Sequence, residues 1–218
     1  EGAYVEATYK DYENLKSTFK KIISLPIEKS DNTGRVNAIQ KFSGNWFCKK
    51  HKPNLLDIGS GLGVFPYAIK KLGWECLAID PDKIATKHIV EDLGMDSLCG
   101  DFLSLKPTKK FEIITLNKVL EHVLNPIEIL KNTHNWLSDR GFVYIEIPDG
   151  EAAICDGPER EEFFVEHIHI FSIPSTIALA NRAGYLVDNI SRIKEPSGKY
   201  TIRAYLFPMT SLKLFINK

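Results

Sequence analysis

The sequence has no excess of charge of either sign. Its 218 residues contain 28 lysines and arginines against 28 aspartates and glutamates, so the formal net charge is zero. A domain that binds nucleic acid through a general electrostatic field carries a basic excess, which is missing here. Two short basic stretches, residues 49–52 and 106–110, are not interleaved with aromatic residues and are typical of solvated loop ends. No nucleic-acid partner is therefore expected.

Long apolar runs, a leader pattern and paired cysteines are also missing. No stretch reaches the roughly 20 apolar residues of a membrane-crossing helix, and the first residues show no basic region followed by an apolar one. The four cysteines, Cys48, Cys76, Cys99 and Cys155, are scattered without a Cys-x-x-Cys pair, which is typical of proteins in a reducing compartment. We therefore expect a cytoplasmic protein with no membrane partner; nothing indicates its oligomeric state.

Internal repeats and low-complexity linkers are absent, which argues against a repeat array or several tethered modules. Hydrophobic residues make up 44% of the chain and charged residues 26%, as in ordinary globular proteins. The length suits one domain with a good-sized core and a small appendage. We predict an N-terminal helical cap segment over residues 1–52 and a main domain over residues 53–218.

Strand and helix patterns alternate along residues 54–148. Short apolar runs are each followed by an amphipathic stretch, a pattern that predicts βαβ units and a mainly parallel sheet. The spacing predicts a helix over residues 127–137 that stops near residues 139–141, and a fifth strand over residues 142–147.

The final third has a different pattern. A helix over residues 174–183 should end at Gly184, and two strands, residues 185–192 and 199–207, are joined by a turn at residues 195–198. They complete seven strands, with an antiparallel hairpin at the end.

The most informative stretch is residues 54–80. A short buried strand runs into three glycines, Gly59, Gly61 and Gly63, and a helix and a second strand ending at Asp80 follow. Glycine lets the backbone take positive φ, and it lets a ligand lie against the main chain at the N-terminus of the next helix. Asp80 comes 21 positions after Gly59, where the tip of the neighbouring strand would meet ribose hydroxyls.

The glycine spacing separates two classes of cofactor. A nicotinamide fingerprint has the form Gly-x-Gly-x-x-Gly, whereas this chain has Gly-x-Gly-x-Gly with Val64 next. Asp57, two residues before the first glycine, would repel a pyrophosphate but suits a ligand that carries an ammonium group. An NAD(P)-dependent oxidoreductase is therefore the less favoured alternative.

With Asp57, the three glycines and Asp80 in register, the stretch resembles motif I of the class I S-adenosylmethionine (SAM) dependent methyltransferases. The resemblance implies an α/β, Rossmann-like fold with seven strands, mainly parallel, and helices on both faces of the sheet. It also implies SAM as cofactor, with Asp57 and the glycines at the methionine end and Asp80 at the ribose. The expected cofactor-binding residues are Asp57, Gly59, Ser60, Gly61, Gly63, Asp80, Pro81, Asp101, Phe102, Asn117 and Arg35.

Three of these residues come from matching positions outside motif I. Asp101 follows the third strand, where methyltransferases of this pattern accept a hydrogen bond from the adenine amino group, and Phe102 would pack on the ring. The alternative for Asp101 is a residue that caps a turn. Arg35 lies in the second of two predicted N-terminal helices that should cover one rim of the sheet, and a bidentate pair with the methionine carboxylate is its predicted role. A solvated helix arginine is the alternative, and it is the favoured reading of this residue taken alone.

The fourth strand, residues 111–116, ends at Asn117 and the run Leu-Glu-His-Val at residues 120–123. Ligands of open α/β sheets bind outside the carboxyl ends of the strands, so this run should lie near the cofactor. It resembles the fourth motif of a methyltransferase subgroup. We interpret Glu121 and His122 as supporting residues, in which the acid caps a turn and the histidine packs beneath it.

A long connection over residues 149–172 follows the fifth strand, and such loops usually carry specificity. Its residues 163–172 resemble a Glu-His-x-x-x-Phe/Tyr-Ser stretch of the type 11 and type 23 methyltransferase domains, which include sugar C-methyltransferases. In those proteins a histidine of the stretch removes a proton from the substrate, and His167 matches it, with Glu166 beside it. Histidine titrates near neutral pH and is a natural general base.

A structural hydrogen bond is the alternative for His167 and the favoured reading for His169. In an extended segment the two histidines would face the same side, but no third ligand is evident and no metal site is predicted. We therefore predict a SAM-dependent methyltransferase that acts on a small molecule, such as a sugar or another polar metabolite. A non-catalytic SAM-binding protein is the main alternative.

Overall fold

The computed structural model describes residues 11–212. The first ten residues of the predicted cap segment and the last six of the predicted main domain lie outside the described residues. The helices are α1 Tyr12–Ile23, α2 Asp31–Trp46, α3 Val64–Lys71, α4 Lys83–Glu91, α5 Pro126–Thr133, α6 Gly150–Ala153 and α7 Ile173–Arg182. The strands are β1 Leu55–Ile58, β2 Cys76–Asp80, β3 Asp96–Cys99, β4 Phe111–Asn117, β5 Leu137–Pro148, β6 Tyr185–Lys194 and β7 Tyr200–Pro208.

The seven strands have the order β3-β2-β1-β4-β5-β7-β6. β1, β2 and β3 are parallel in one part of the chain; in the other, β4, β5 and β6 run in one direction and β7 is antiparallel to both of its neighbours. These pairings confirm the predicted α/β fold class and its antiparallel C-terminal hairpin. By internal contacts the chain divides into two compact units between Leu105 and Lys106. The predicted division at residues 52 and 53 is a different one and stays a prediction.

The first unit contains three parallel strands. β1 pairs with β2 and β2 pairs with β3, and all four residues of β1 are buried. Helix α1 packs against α3 and α4, and α2 packs against α3. The ring of Phe19 in α1 lies 5.4 Å from that of Tyr67 and 5.0 Å from that of His88. The most extensive packing of the two N-terminal helices is therefore against other helices of this unit.

Three helices of this unit begin next to polar capping residues. Asp11 accepts a hydrogen bond from the Asn14 amide, and Ser30 caps α2 in the same way, which satisfies amides left open in the first turn. Asp82 caps α4 by accepting from the amide of Ile84 at 2.7 Å. Pro81 precedes this cap and lies outside the helix.

The second unit contains the strand order β4-β5-β7-β6. β4 and β5 are parallel, and β7 pairs along β5 and β6. Aromatic rings fill the core beside this sheet, since the rings of Phe142 and Phe207 lie 5.9 Å apart and those of Tyr144 and Tyr205 lie 5.2 Å apart. Gly184 ends α7 with a φ of 87°, as predicted, because the left-handed region favours glycine at this position.

The boundary between α5 and β5 differs from the prediction. α5 ends at Thr133, whose hydroxyl bonds to the Leu130 carbonyl at 2.6 Å and to the Tyr185 hydroxyl at 2.5 Å. The Trp136 carbonyl then accepts from the Phe111 amide at 2.8 Å, and β5 begins at the next residue. Residues 139–141, predicted to stop the helix, lie in β5 beside a register shift in its pairing with β4.

No helix among residues 11–212 combines the length and the apolar character needed to cross a membrane. All four cysteines are free.

Candidate active site

The glycine turn after β1 has the backbone that motif I requires. Gly59, Gly61 and Gly63 have φ values of 71°, 48° and 72°, a region in which a side chain is unfavourable. The amides of Gly59 and Ser60 donate to the Ile79 carbonyl at 2.8 and 3.2 Å, and the Gly63 amide donates to the Ser60 carbonyl at 2.9 Å. The turn is therefore closed on itself and attached to the end of β2.

Asp80 lies at the tip of β2 and is bonded to the same turn. Its carboxylate accepts from the Gly61 amide at 2.7 Å and from the Asp82 amide at 2.9 Å. The side chain is buried, and this burial raises the pKa of Asp80, although the two backbone hydrogen bonds act to lower it. A carboxylate has about four lone-pair sites, so each oxygen retains capacity for a ribose hydroxyl.

Gly63 is required by packing as well as by its backbone conformation. A Cβ atom at this position would lie 2.8 Å from Cγ1 of Ile89 and 3.0 Å from Cδ1 of Leu93. Ile89 is fully buried in α4, so its branch has little room to move. The sequence pattern suggested a ligand against the main chain at this glycine, but its neighbour is the core side of α4.

Asp57 is the third residue of β1 and is 2% exposed. Its backbone carbonyl accepts from the Ser60 hydroxyl at 2.9 Å, which ties the strand to the glycine turn. Burial, assisted by the negative charge of Asp57, raises the pKa of the Cys76 thiol well above its usual value. The contact of the Asp57 carboxylate with the methionine end of the cofactor stays a prediction.

The predicted adenine residues follow β3. Asp101 is exposed, and its carboxylate accepts from the Leu103 amide at 3.2 Å and from the Ser104 hydroxyl at 3.0 Å. Phe102 is 4% exposed. The turn-capping alternative for Asp101 is therefore present in the structure, and its adenine contact stays a prediction. Arg35 is half-buried on α2, and its carboxylate contact also stays a prediction.

In the second unit, Asn117 ends β4 and is half-buried. The next residue, Lys118, has a φ of 59°, which a non-glycine residue adopts at a cost of about 1–2 kcal/mol. The Lys118 amide donates to the Glu146 carbonyl at 2.7 Å, and its ammonium donates to the Thr201 hydroxyl at 2.7 Å. No local sequence pattern predicts a left-handed lysine at this position. Backbone strain of this kind is common at functional sites.

His167 is half-buried and held by a backbone hydrogen bond. Its Nδ1 lies 2.9 Å from the Glu162 carbonyl oxygen, and its ring centroid lies 4.9 Å from that of His122. Glu166, its predicted companion, has an exposed side chain, and the Glu166 carbonyl lies 3.0 Å from Nδ1 of His122. The structure therefore brings His167 together with Glu162 and His122.

Glu162 anchors the loop that carries His167. Although it is buried, its carboxylate accepts from the Arg160 guanidinium at 2.8 and 3.0 Å and from the Tyr200 amide at 2.6 Å. Burial alone would raise the pKa of Glu162, but these hydrogen bonds outweigh it and hold the pKa below its usual value. No sequence signal distinguishes Glu162 from its neighbour Glu161, because the partner strand is distant along the chain.

His169 has a separate environment. Its Nε2 lies 3.0 Å from the Val123 carbonyl oxygen, which agrees with the favoured structural reading. Residues 165–166 form a turn and residue 168 a bend. The expected extended segment, in which His167 and His169 would face the same side, was therefore wrong.

The sequence matches a protein family described as "Methyltransferase domain" over residues 34–190. This range covers more than half of the chain and contains every predicted site residue. The glycine turn, the acid at the end of β2 and the strand order define a methyltransferase-like α/β domain. The chain belongs to this methyltransferase-domain family, and the predicted class I SAM-dependent methyltransferase family is confirmed.

Relatives and solved structures agree with this assignment. The chain is 30% identical over 124 residues to the ubiquinone biosynthesis O-methyltransferase of Actinobacillus pleuropneumoniae serotype 5b (strain L20), which covers 52% of this chain and 51% of that protein. The chain thus spans about half the length of the curated relatives it matches.

Two crystal structures share the fold at low sequence identity. The plantazolicin methyltransferase BpumL, in complex with a triazolic desmethylPZN analog and SAH, has a TM-score of 0.67 at 17% identity, over 94% of this chain and 95% of that one. The Burkholderia thailandensis 1,6-didemethyltoxoflavin-N1-methyltransferase, with bound 1,6-didemethyltoxoflavin and S-adenosylhomocysteine, has a TM-score of 0.66 at 15% identity, over 90% and 86%.

Proposed function

We propose that this protein transfers a methyl group from SAM to a small-molecule acceptor. The observation that carries the proposal is the hydrogen bond between the Gly61 amide and the Asp80 carboxylate. It connects the glycine turn of motif I directly to the acid that is proposed to bind the ribose. Membership of the methyltransferase-domain family supports it. The alternative of an NAD(P)-dependent oxidoreductase has no such support.

The cofactor roles follow from chemistry at the described positions. The carboxylate of Asp57 attracts the ammonium group of the methionine end, and the positive-φ turn lets the cofactor approach main-chain amides. Asp80 accepts from the ribose hydroxyls with the lone pairs that its backbone bonds leave. Asp101 with Phe102 is the proposed adenine contact, and Asn117 and Arg35 complete the set.

His167 is the proposed general base. Its Nδ1–H donates to the Glu162 carbonyl, which leaves the lone pair on Nε2 to accept the proton of the acceptor. Because the sulfonium methyl is already activated, the protein has mainly to align the acceptor and remove this proton. Glu166 stays a proposed neighbour of the base, with an exposed side chain.

The acceptor is proposed to be a sugar or another polar metabolite with a nucleophilic oxygen or carbon. The relatives and neighbours above include an O-methyltransferase and an N-methyltransferase of a small molecule. A hydroxyl acceptor is the first class to test, since the O-methyltransferase is the relative with the higher sequence identity. A cytoplasmic location stays a prediction from the unpaired cysteines.

Calorimetric titration with SAM, and with NADH as the control, tests the cofactor. We expect saturable binding of SAM at one site and none of NADH. Radiolabelled SAM is then incubated with a panel of sugars and phenols, and transfer of label to an acceptor is measured. Binding without transfer to any class of acceptor would favour the non-catalytic SAM-binding alternative, and binding of NADH alone would refute the proposal.

A further inference from the structure

Three side chains of the second unit converge outside the set predicted for the cofactor. Glu121, His122 and His167 each place one possible ligand atom so that all three atoms lie within 4.8 Å of one another. The Nε2 of His122 lies 3.9 Å from Oε1 of Glu121. The sequence offered no third ligand for His167, and the structure supplies two from the end of β4.

Both imidazoles are oriented by backbone carbonyls. His122 directs Nδ1 to the carbonyl of Glu166 at 3.0 Å, and His167 directs Nδ1 to the carbonyl of Glu162 at 2.9 Å. A carbonyl only accepts, so each Nδ1 carries its proton and each Nε2 has a lone pair. Metal-binding histidines show this arrangement, in which the second ring nitrogen donates to a carbonyl or carboxylate and fixes the tautomer.

The two chain segments that carry these groups are tied together. The Glu121 carbonyl accepts from the Ile168 amide at 2.8 Å and from the His169 amide at 3.2 Å. These bonds hold the residue after His167 against the backbone of Glu121. The three ligand groups are therefore positioned by main-chain contacts and not by flexible side chains alone.

Charge and burial also suit a cation. The Glu121 side chain is fully buried and that of His122 is 16% exposed. Burial lowers the pKa of His122, and the nearby His167 adds to this effect, although the Glu166 carbonyl opposes it. The neutral form of an imidazole is the form that binds a metal.

We propose that Glu121, His122 and His167 form a binding site for a divalent transition-metal cation of the Zn²⁺ class. Two imidazoles and one carboxylate are a donor set that Zn²⁺ accepts, with a fourth position left for water or another ligand. With metal–ligand bonds of about 2.1 Å, tetrahedral ligands lie about 3.4 Å apart. The ligand atoms, which lie within 4.8 Å of one another, need to approach by at most about 1.4 Å to reach this spacing.

The site stands whether or not the protein transfers methyl groups, but it limits the proposed function. An imidazole nitrogen has one lone pair, so the Nε2 of His167 binds either a proton or the cation. His167 is therefore a base only in the metal-free protein and a ligand in the metal-loaded one. Occupancy of this site would decide between the two states.

Titration of chelator-treated protein with Zn²⁺, followed by calorimetry, tests the site. We expect one equivalent to bind, and we expect His122→Gln and His167→Gln each to weaken binding by at least about 100-fold, the upper end of what the loss of an outer-shell partner costs. His169→Gln is the matched control, because His169 lies in the same loop and bonds to Val123 instead. Circular dichroism of each variant checks folding.

X-ray absorption of the Zn²⁺-loaded wild-type protein gives a second test that needs no variant, and two imidazole ligands are expected. Absence of Zn²⁺ binding, unchanged binding in both variants, an equal loss in His169→Gln, or a spectrum without imidazole would each overturn the proposal. A parallel SAM titration separates the two inferences. If the wild-type protein binds Zn²⁺ but not SAM, the proposed function is refuted and the metal-site proposal is supported.

Discussion

Substitution of Gly63 by alanine should destabilise the protein through two separate effects. The left-handed backbone, with a φ of 72°, costs an alanine about 1–2 kcal/mol. The new methyl group would also lie 2.8 Å from Cγ1 of Ile89, and overpacking of this kind costs about 1–3 kcal/mol. The expected loss in the free energy of unfolding is therefore about 2–5 kcal/mol, measured by urea denaturation.

Gly198→Ala is the matched control for the backbone effect. Gly198 has a φ of 92°, and a Cβ there would meet no atom within 4 Å. The free energy of unfolding of Gly198→Ala should therefore fall only by the cost of the backbone strain, about 1–2 kcal/mol. A double-mutant cycle isolates the packing effect. Ile89→Ala removes the nearest clashing carbon and should lower the cost of Gly63→Ala toward that range, although Cδ1 of Leu93 at 3.0 Å still contacts the new methyl group. Equal losses for Gly63→Ala and Gly198→Ala, or no coupling with Ile89, would refute the packing explanation.

Further predictions concern the cofactor and the base. Asp80→Ala should weaken SAM binding by about 1.5–3 kcal/mol, as for hydrogen bonds to a charged group, and unchanged affinity by calorimetry would reject the ribose assignment. SAM affinity should be full above the pKa of Asp80 and should fall as the pH drops through it, because the proton competes with the hydroxyl donors. Burial raises the pKa of Asp80, so the affinity should begin to fall at a higher pH than it would for an ordinary aspartate. Asp80→Asn should flatten this pH profile. In metal-free protein, His167→Ala should reduce turnover by a factor of about 10²–10⁴ without changing SAM affinity. His169→Ala is the control and should leave turnover near that of the wild type. Full activity of His167→Ala in single-turnover assays would show that His167 is not the base.

The alternation of strands and helices could be predicted because it is local. The apolar run of β1, the three glycines and the acid at the end of β2 lie within 27 consecutive residues, and their chemistry specifies a turn between parallel strands. The hairpin of β6 and β7 was equally readable from its turn residues. These features need no knowledge of distant partners.

The boundary between α5 and β5 could not be predicted for the opposite reason. The hydrogen bond between Thr133 and Tyr185 joins residues 52 positions apart, and the helix ends beside it. The polar residues 138–141 are typical of a turn. They lie in a strand because the residues on either side, Leu137 and Phe142, both pair with β4, and residues 138–141 span the register shift between those two pairs. Tertiary contacts here override the local pattern.

The candidate site shows the same limit. The sequence identified His167, but its carbonyl partner on Glu162 and its neighbour His122 depend on how the loop folds back. The reading of His122 as a residue packed in support agrees with its bond to the Glu166 carbonyl. Its convergence with Glu121 and His167 is visible only in three dimensions.

The carboxylate of Asp80 has consequences for attempts to redesign what this protein recognises. One oxygen accepts a hydrogen bond from the Gly61 amide and the other accepts one from the Asp82 amide. Replacing the acid therefore removes two backbone hydrogen bonds, one to the glycine turn and one to the start of the next loop, together with any contact to the sugar. A redesign of ligand preference must therefore replace Asp80 together with the two backbone segments that it holds. Libraries that vary this residue alone would select mainly for side chains that restore the backbone hydrogen bonds, and only secondarily for binding of new ligands.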